Sequence, residues 1–207
     1  YDRIGTKVNQ SVMFYDDLSR EIYRQSDSRS INEGEDGLID GETRKIDLSE
    51  TTLEEGTYIY NYTFNHKGKP LSSTSVTYKW ENGAQRPYKG DRSWKKYDLS
   101  GDLLKVEKKE EFWVDATTTM DDLDTKLISN ALPESHYSFS ITEYVSYDES
   151  KENATFKIIN QYDLIEDGNT AGISPLLLYS IKGRSYKKTG GTEVKSEDFN
   201  GRGIAEY

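Results

Sequence analysis

The sequence predicts a mainly β fold: an antiparallel sandwich, or an open barrel or meander, with one short helix over about 120–131. Two observations carry this prediction. Aromatic residues stand at alternate positions over 58–64, the period of a strand with one buried face. Leu, Ile, Val and Phe together number only 42 of 207 residues, whereas there are 16 tyrosines. Since a buried aromatic ring removes about 150–250 Å² from water, tyrosine is expected to thicken a thin aliphatic core.

Residues 8–25 allow two interpretations. A helical face would contain Val8, Val12, Tyr15, Leu18 and Ile22. Two short strands around a polar turn at 16–19 fit as well, and the many poor helix formers of this segment favour the hairpin. The helix would give an α+β fold, with an N-terminal helix on a curved sheet, as the alternative.

Further strands are predicted along the rest of the chain. They are expected at 58–64, 72–80, 103–114, 137–145, 154–164, 176–181, 184–188 and 192–195, with turns at 65–70, Gly183 and Gly190-Gly191. The helix over 120–131 is predicted from Thr119 as its N-cap, Asp122 at the capping-box position and a leucine-rich stripe that ends before Pro133. We expect a single β-rich domain over 1–207.

An acidic, mobile loop is expected at 27–44. Its segment 33–42 holds five carboxylates among three glycines, a composition that could suit calcium. The spacing lacks the EF-hand pattern, so a solvated loop is favoured and no metal site is predicted.

Composition excludes several classes of function. The chain has no cysteine, which excludes disulfides, thiolate catalysis and zinc fingers. No apolar run approaches the ~18 residues of a transmembrane helix. The net charge of −10 disfavours nucleic-acid binding. Nucleotide-binding motifs and a nucleophile elbow are absent from the sequence, so we predict no cofactor and no catalytic residue.

A short pattern repeats after thirty-three residues. Phe64-Asn65-x-x-Gly68-x-x-Leu71 returns as Tyr97-Asp98-x-x-Gly101-x-x-Leu104, and related Tyr-Asp pairs stand at 15–16, 147–148 and 162–163. In each, Asp or Asn can bond the turn backbone and Gly can accept a positive φ. The hairpins 64–71 and 97–104 resemble those of MORN-2-like and Tyr-Asp repeat proteins. The resemblance implies a surface or secreted β-meander without catalysis.

The segment 79–97 is the candidate binding region, because six basic residues alternate there with four aromatic ones in an otherwise acidic protein. We interpret it as an exposed loop that stacks on sugar rings or contacts a protein. The alternative is that its rings are core residues and its lysines protect an edge strand. The predicted ligand-binding residues are Trp80, Arg86, Tyr88, Lys89, Arg92, Trp94 and Lys96.

The leading functional hypothesis is a non-catalytic module that binds a glycan or a protein, secreted or associated with a bacterial cell envelope. An upstream segment could then carry a signal peptide or a lipoprotein anchor. A second hypothesis is an acidic immunity or inhibitor protein that neutralises a partner enzyme through 33–42. A third is a glycan hydrolase that uses Glu110, Glu111 and Asp115 near Trp113.

Overall fold

The computed structural model describes residues 7–32, 35, 38, 47–114, 118–119, 121–122, 136–151, 153–181, 184–195, 198–199 and 205–206. Ten of its strands belong to one antiparallel sheet. These are β1 (Lys7–Tyr15), β2 (Glu21–Ile31), β3 (Thr51–Phe64), β4 (Pro70–Glu81), β5 (Ala84–Tyr97), β6 (Leu104–Trp113), β7 (His136–Tyr147), β8 (Ala154–Leu164), β9 (Leu178–Ile181) and β10 (Arg184–Lys195). Two further short strands, β11 (Asp198–Phe199) and β12 (Ala205–Glu206), pair with each other.

The strand order is β1-β2-β3-β4-β5-β6-β7-β8-β10-β9, so almost every strand pairs with its neighbour in sequence. The predicted mainly β, antiparallel class is therefore confirmed, and its order is that of a meander. Residues 8–25 form the β1–β2 hairpin, so the α+β alternative is wrong. Local hydrogen bonds explain this outcome: Asp16 Oδ1 accepts from the backbone N–H groups of Leu18 and Arg20 and closes the turn.

Contacts divide the chain into two compact units. The first unit comprises Tyr1–Asn61, Thr74–Gly90 and Val114–Pro133. The second comprises Tyr62–Ser73, Asp91–Trp113 and Glu134–Tyr207. The single domain expected over 1–207 stays a prediction.

Tyrosines build the core of the first unit. The ring of Tyr58 lies 5.8 Å from that of Tyr23 and 5.0 Å from that of Tyr78. Tyr78 is fully buried and donates a hydrogen bond to Asp27. Gly56 lies beneath this ring, where an added Cβ would overlap the phenol and stand 2.8 Å from Asp27 Oδ1. The close approach of strand and ring therefore requires glycine at this position.

The second unit has an aromatic core of its own. Phe139 stacks on Tyr179, with ring centroids 4.7 Å apart and planes 13° from parallel, and it lies 5.1 Å from Tyr186. Phe112, Phe139 and Tyr186 are buried. These rings share one face of the sheet. Phe112 is two residues from Glu110, which stands opposite Phe139, and Phe139 stands opposite Tyr162 of β8. Tyr186 stands opposite Leu164, two residues further along β8.

Four hairpin turns share one geometry. Each begins with an Asp or Asn whose side chain accepts backbone N–H bonds, and each has a positive φ three residues later. The turns begin at Asp16, Asn65, Asp98 and Asp148, and the left-handed residues are Ser19, Gly68, Gly101 and Lys151. They join β1 to β2, β3 to β4, β5 to β6 and β7 to β8. The repeated turn is thus confirmed at 15–16 and 147–148, but the turn expected at 162–163 is wrong because both residues lie inside β8.

Several predicted boundaries need correction. The loop expected at 27–44 begins later, because residues 27–31 belong to β2, and most of 33–44 lies outside the described residues. Gly190 and Gly191 lie within β10 beside a bulge and form no turn. Of the helix expected over 120–131, only Asp121 and Asp122 are described, and both are helical. Thr119 Oγ1 accepts from the Asp122 N–H at 3.2 Å, as predicted for the N-cap.

Candidate functional site

The segment 79–97 is neither an exposed loop nor an edge strand, so both structural placements are wrong, while its role in binding a ligand stays a prediction. It comprises the end of β4, a turn at Asn82-Gly83 with φ of 52° and 77°, and the whole of β5. β5 pairs with β4 on one side and with β6 on the other, so it is an interior strand. Adjacent side chains on it therefore point to opposite faces.

The seven predicted residues do not form one cluster in a single unit. Trp80, Arg86, Tyr88 and Lys89 belong to the first unit, and Arg92, Trp94 and Lys96 to the second. In the first unit, Tyr88 donates to Glu55 Oε2 at 3.2 Å, and Lys79 Nζ lies 4.8 Å above its ring. Burial, and then the charge of Glu55, raise the pKa of the Tyr88 hydroxyl. Tyr88 is thus held by intramolecular contacts, while Trp80, Arg86 and Lys89 are exposed.

Arg92 lies in a buried cluster of charged and polar groups. Its side chain is 5% exposed, and its Nη1 lies 3.9 Å from Oε2 of Glu110, which is fully buried. Oε1 of Glu110 accepts from Arg184 Nη2 at 2.8 Å and from the Tyr186 hydroxyl at 2.6 Å. Burial, followed by the hydrogen bond to Glu110, raises the pKa of Tyr186 above its ordinary value. Arg92 therefore belongs to the interior.

Trp94 and Lys96 remain on the surface and line a groove of about 410 Å³. Contacts of Arg92 with Glu110 and Phe112 assign the even-numbered residues of β5 and β6 to one face. The groove, called here the β5–β6 groove, is lined by Trp94, Lys95, Lys96, Val106 and Lys108. The groove thus lies on the same face of the sheet as the buried cluster and begins two residues further along each strand.

Charge distinguishes the two faces of β5 and β6. On the opposite face, Lys95 pairs with Glu107 at 3.6 Å, and Lys109 pairs with Glu111 at 3.2 Å. Within the described part of the chain, Lys96 is exposed and has neither a carboxylate nor a hydrogen-bond partner. Lys108 lies 5.1 Å above the Tyr179 ring. The groove therefore presents a positive surface in a protein of net charge −10.

On the described residues of β6 and β7, one exposed carboxylate borders this surface. Glu143 stands opposite Val106 in the β6–β7 register, so its side chain emerges on the groove face, where it is exposed. Glu110 is the other carboxylate on this face of β6, and Arg184 and Tyr186 already engage it. Anions approaching the groove thus meet two ammonium groups at its centre and one carboxylate at its edge.

The carboxylates proposed for a hydrolase do not come together. Glu110 and Glu111 are consecutive in β6 and point to opposite faces, and Ser138 donates to Glu111 on its own face at 3.2 Å. Asp115 lies outside the described residues, as does most of the acidic segment 33–42. Among the residues that the structure describes, no three acidic or histidine side chains are grouped as a metal site would need.

Three groove residues were absent from the predicted ligand-binding set: Lys95 on β5, and Val106 and Lys108 on β6. Val106 and Lys108 lie in the charged middle of β6, where adjacent lysines and glutamates hide the alternation of faces. The signal was the spacing of two between Lys108 and Glu110, which places both on one face.

Comparison with known proteins identifies no relative: no family model, curated protein or solved structure matches this chain. The resemblance of two hairpins to MORN-2-like repeats stays a prediction. Within the described ranges, no helix has the length and apolar character needed to cross a membrane.

Proposed function

We propose that the protein is a non-catalytic binding module, and that the β5–β6 groove of its second unit binds an anionic glycan. The observation that carries the proposal is the position of Trp94 between two lysines that lack carboxylate partners among the described residues. An indole offers a flat apolar surface for the C–H groups of a sugar ring, while ammonium groups attract carboxylate or sulfate substituents.

The groove suits a glycan better than a protein surface. Specific protein interfaces bury about 1,200–2,000 Å² and have an apolar centre. In the β5–β6 groove, the apolar surface comes from Trp94 and Val106, and the ammonium groups of Lys96 and Lys108 lie beside them. A flexible saccharide needs only a few such contacts per ring, and repeated weak contacts suit an extended polymer.

The acidic net charge does not oppose this proposal at physiological salt. The Debye length there is about 8 Å, so carboxylates farther away are largely screened. Lys96 and Lys108 then determine the local potential. Binding is therefore expected to weaken as salt rises, because each lysine contributes through a partly exposed ion pair.

Titration with polygalacturonate, heparin and neutral dextran tests the proposal. We expect binding to at least one acidic polymer and none to dextran. Lys96→Gln and Lys108→Gln should each weaken binding about twofold to fivefold, as expected for exposed ion pairs. Trp94→Ala should weaken it about tenfold.

Lys109→Gln is the matched control. It alters the net charge as Lys108→Gln does, but its ammonium lies on the opposite face, near Asp91 at 3.8 Å and Glu111. If Lys108→Gln and Lys109→Gln weaken binding equally, the effect comes from net charge alone, and the groove is not the binding site. Absence of binding to every acidic saccharide would refute the proposal itself.

A secreted or envelope-associated location, in bacteria, forms part of this proposal. The support is chemical: acidic polysaccharides are met chiefly at cell surfaces and in the extracellular matrix. Detection of the native protein in culture medium or in the envelope fraction would support it, and confinement to the cytosol would contradict it.

A further inference from the structure

Among the described residues, β1 stands at one end of the large sheet and has an open edge. Within the described residues it pairs with β2 alone, over the nine residues from Lys7 to Tyr15. Since alternate residues of a strand direct their N–H and C=O groups to the same neighbour, about half of its backbone groups face away from β2. Such an edge is a template for another strand.

After its first residue, Lys7, β1 lacks the charged residues and the proline that usually protect an edge. Val8–Tyr15 contains no charged residue and no proline. Four consecutive side chains of β1, on both faces, are between 42% and 56% exposed: Val12, Met13, Phe14 and Tyr15. β1 pairs with β2 in a regular register up to a shift between Phe14 and Tyr15. No bulge therefore bends the rest of the strand away from a possible partner strand.

The other end of the strand order differs. β9 has four residues, follows a 3₁₀ turn at Pro175–Leu177 and covers only Arg184–Lys187 of the twelve-residue β10. The rest of that edge of β10 carries a bulge between Lys188 and Gly190 and the charged Glu193 and Lys195, which are features that protect an edge from pairing. A head-to-tail contact of β1 with this end of the sheet is therefore poorer than a contact between β1 strands of two molecules.

The repeated hairpin gives a precedent for such a contact. The hairpins β1–β2 and β3–β4 begin with the same turn, and they associate edge to edge through the antiparallel β2–β3 pairing. β1 is the strand of its hairpin that corresponds to β3. It therefore offers the same kind of edge that β3 offers to β2, with no further hairpin among the described residues to receive it.

From these observations we propose that β1 pairs antiparallel with β1 of a second copy of this chain. A two-fold axis perpendicular to the sheet keeps each face continuous, so paired residues share a face. Overlap of all nine residues then places Ser11 opposite Ser11 of the partner subunit, with Val12 beside the partner's Gln10. This inference is independent of the proposed glycan site, because it concerns the first unit.

Sedimentation velocity over a range of concentrations tests the oligomeric state. We expect a dimer at micromolar protein, and Val12→Lys should raise its dissociation constant at least about tenfold, since the two paired edges then place two like charges close together on one face. Leu99→Lys, at a fully exposed hairpin tip, is the control and should leave the dimer intact. Circular dichroism of both variants checks that the sheet is retained.

Ser11→Cys tests the register, because the chain has no other cysteine. Opposite residues of antiparallel strands lie about 4.5–5.5 Å apart at Cα, within the range of a disulfide. Mild oxidation should give a covalent dimer rapidly, whereas Ser100→Cys should give one only slowly. A monomer at all concentrations, a dimer unaffected by Val12→Lys, or equal cross-linking of the two cysteine variants would overturn the proposal.

Discussion

Replacing Glu110 by glutamine removes the negative charge at the centre of the buried cluster while nearly preserving its shape. The carboxylate is fully buried, and it accepts three hydrogen bonds on Oε1, from Arg184 Nε at 3.1 Å, Arg184 Nη2 at 2.8 Å and Tyr186 at 2.6 Å. Two guanidinium groups would lose their counter-charge. An amide nitrogen would also face donors that need an acceptor.

The expected loss follows from the exposure of the two arginines. Breaking a buried ion pair by removing one partner costs about 3–5 kcal/mol. Arg92 is 5% exposed and cannot recover its hydration, whereas Arg184 is 24% exposed and can do so in part. We therefore expect a loss near the lower bound, about 3 kcal/mol, or roughly 6–12 °C in Tm for a chain of this length.

Urea unfolding followed by circular dichroism measures this loss, with an unchanged m-value as the check on two-state behaviour. Glu111→Gln is the matched control, since it changes the next residue, whose side chain is 43% exposed on the opposite face. That variant should lose less than about 1 kcal/mol. Adding Arg92→Met to Glu110→Gln should restore about 1–3 kcal/mol, because the uncompensated charge is removed. A loss below about 1 kcal/mol in Glu110→Gln would refute the electrostatic reasoning.

Three further predictions concern backbone packing, alkaline pH and the edge of the groove. Gly56→Ala should lower the free energy of unfolding, measured by thermal unfolding, by about 3 kcal/mol, because the added Cβ meets the buried Tyr78 ring. The control Gly190→Ala, whose Cβ lies 3.7 Å from Gln161 Oε1, should be nearly neutral. Equal losses of stability in the two variants would contradict this prediction. Burial, assisted by carboxylates, raises the pKa of Tyr78, Tyr144 and Tyr186 above the ordinary 10.0. Because the unfolded chain loses these protons first, stability should be full below pH 10 and fall above it. A fraction of the tyrosinate absorbance should therefore appear only as the protein unfolds, and complete titration of every tyrosine before unfolding would contradict this. Glu143→Gln should strengthen binding to the acidic saccharide about twofold, because it removes a repulsion of about 0.5 kcal/mol between charges roughly 8 Å apart in water. An unchanged dissociation constant would exclude Glu143 from the edge of the groove.

The sequence predicted strands well where one face is apolar at every second residue. β8 has the bounds expected, and β3 contains the alternating aromatics of 58–64. The sequence did not predict β5, because Pro87, Gly90 and Arg92 occupy its buried positions instead of the apolar side chains expected in a central strand. Gly190-Gly191 was misread since glycine pairs signal turns more often than bulges.

The candidate site was predicted only in part, for a physical reason. Trp94 and Lys96 line the groove, but Arg92 is internal because Glu110 and Arg184 approach it from distant positions in the sequence. A basic residue on a strand has the same local pattern whether its partner is solvent or a buried carboxylate. Only the pairing of β6 with its neighbours distinguishes the two cases.

The three tryptophans allow the most direct test of the proposed site. Trp94 lines the β5–β6 groove, Trp113 is exposed on the opposite face of the second unit, and Trp80 is exposed in the first unit. Their indole N–H resonances can be followed in one NMR titration with an oligogalacturonate. We predict that the Trp94 signal shifts while those of Trp80 and Trp113 stay in place. A saturable shift of Trp80 or Trp113 with Trp94 unchanged would contradict the assignment of the groove.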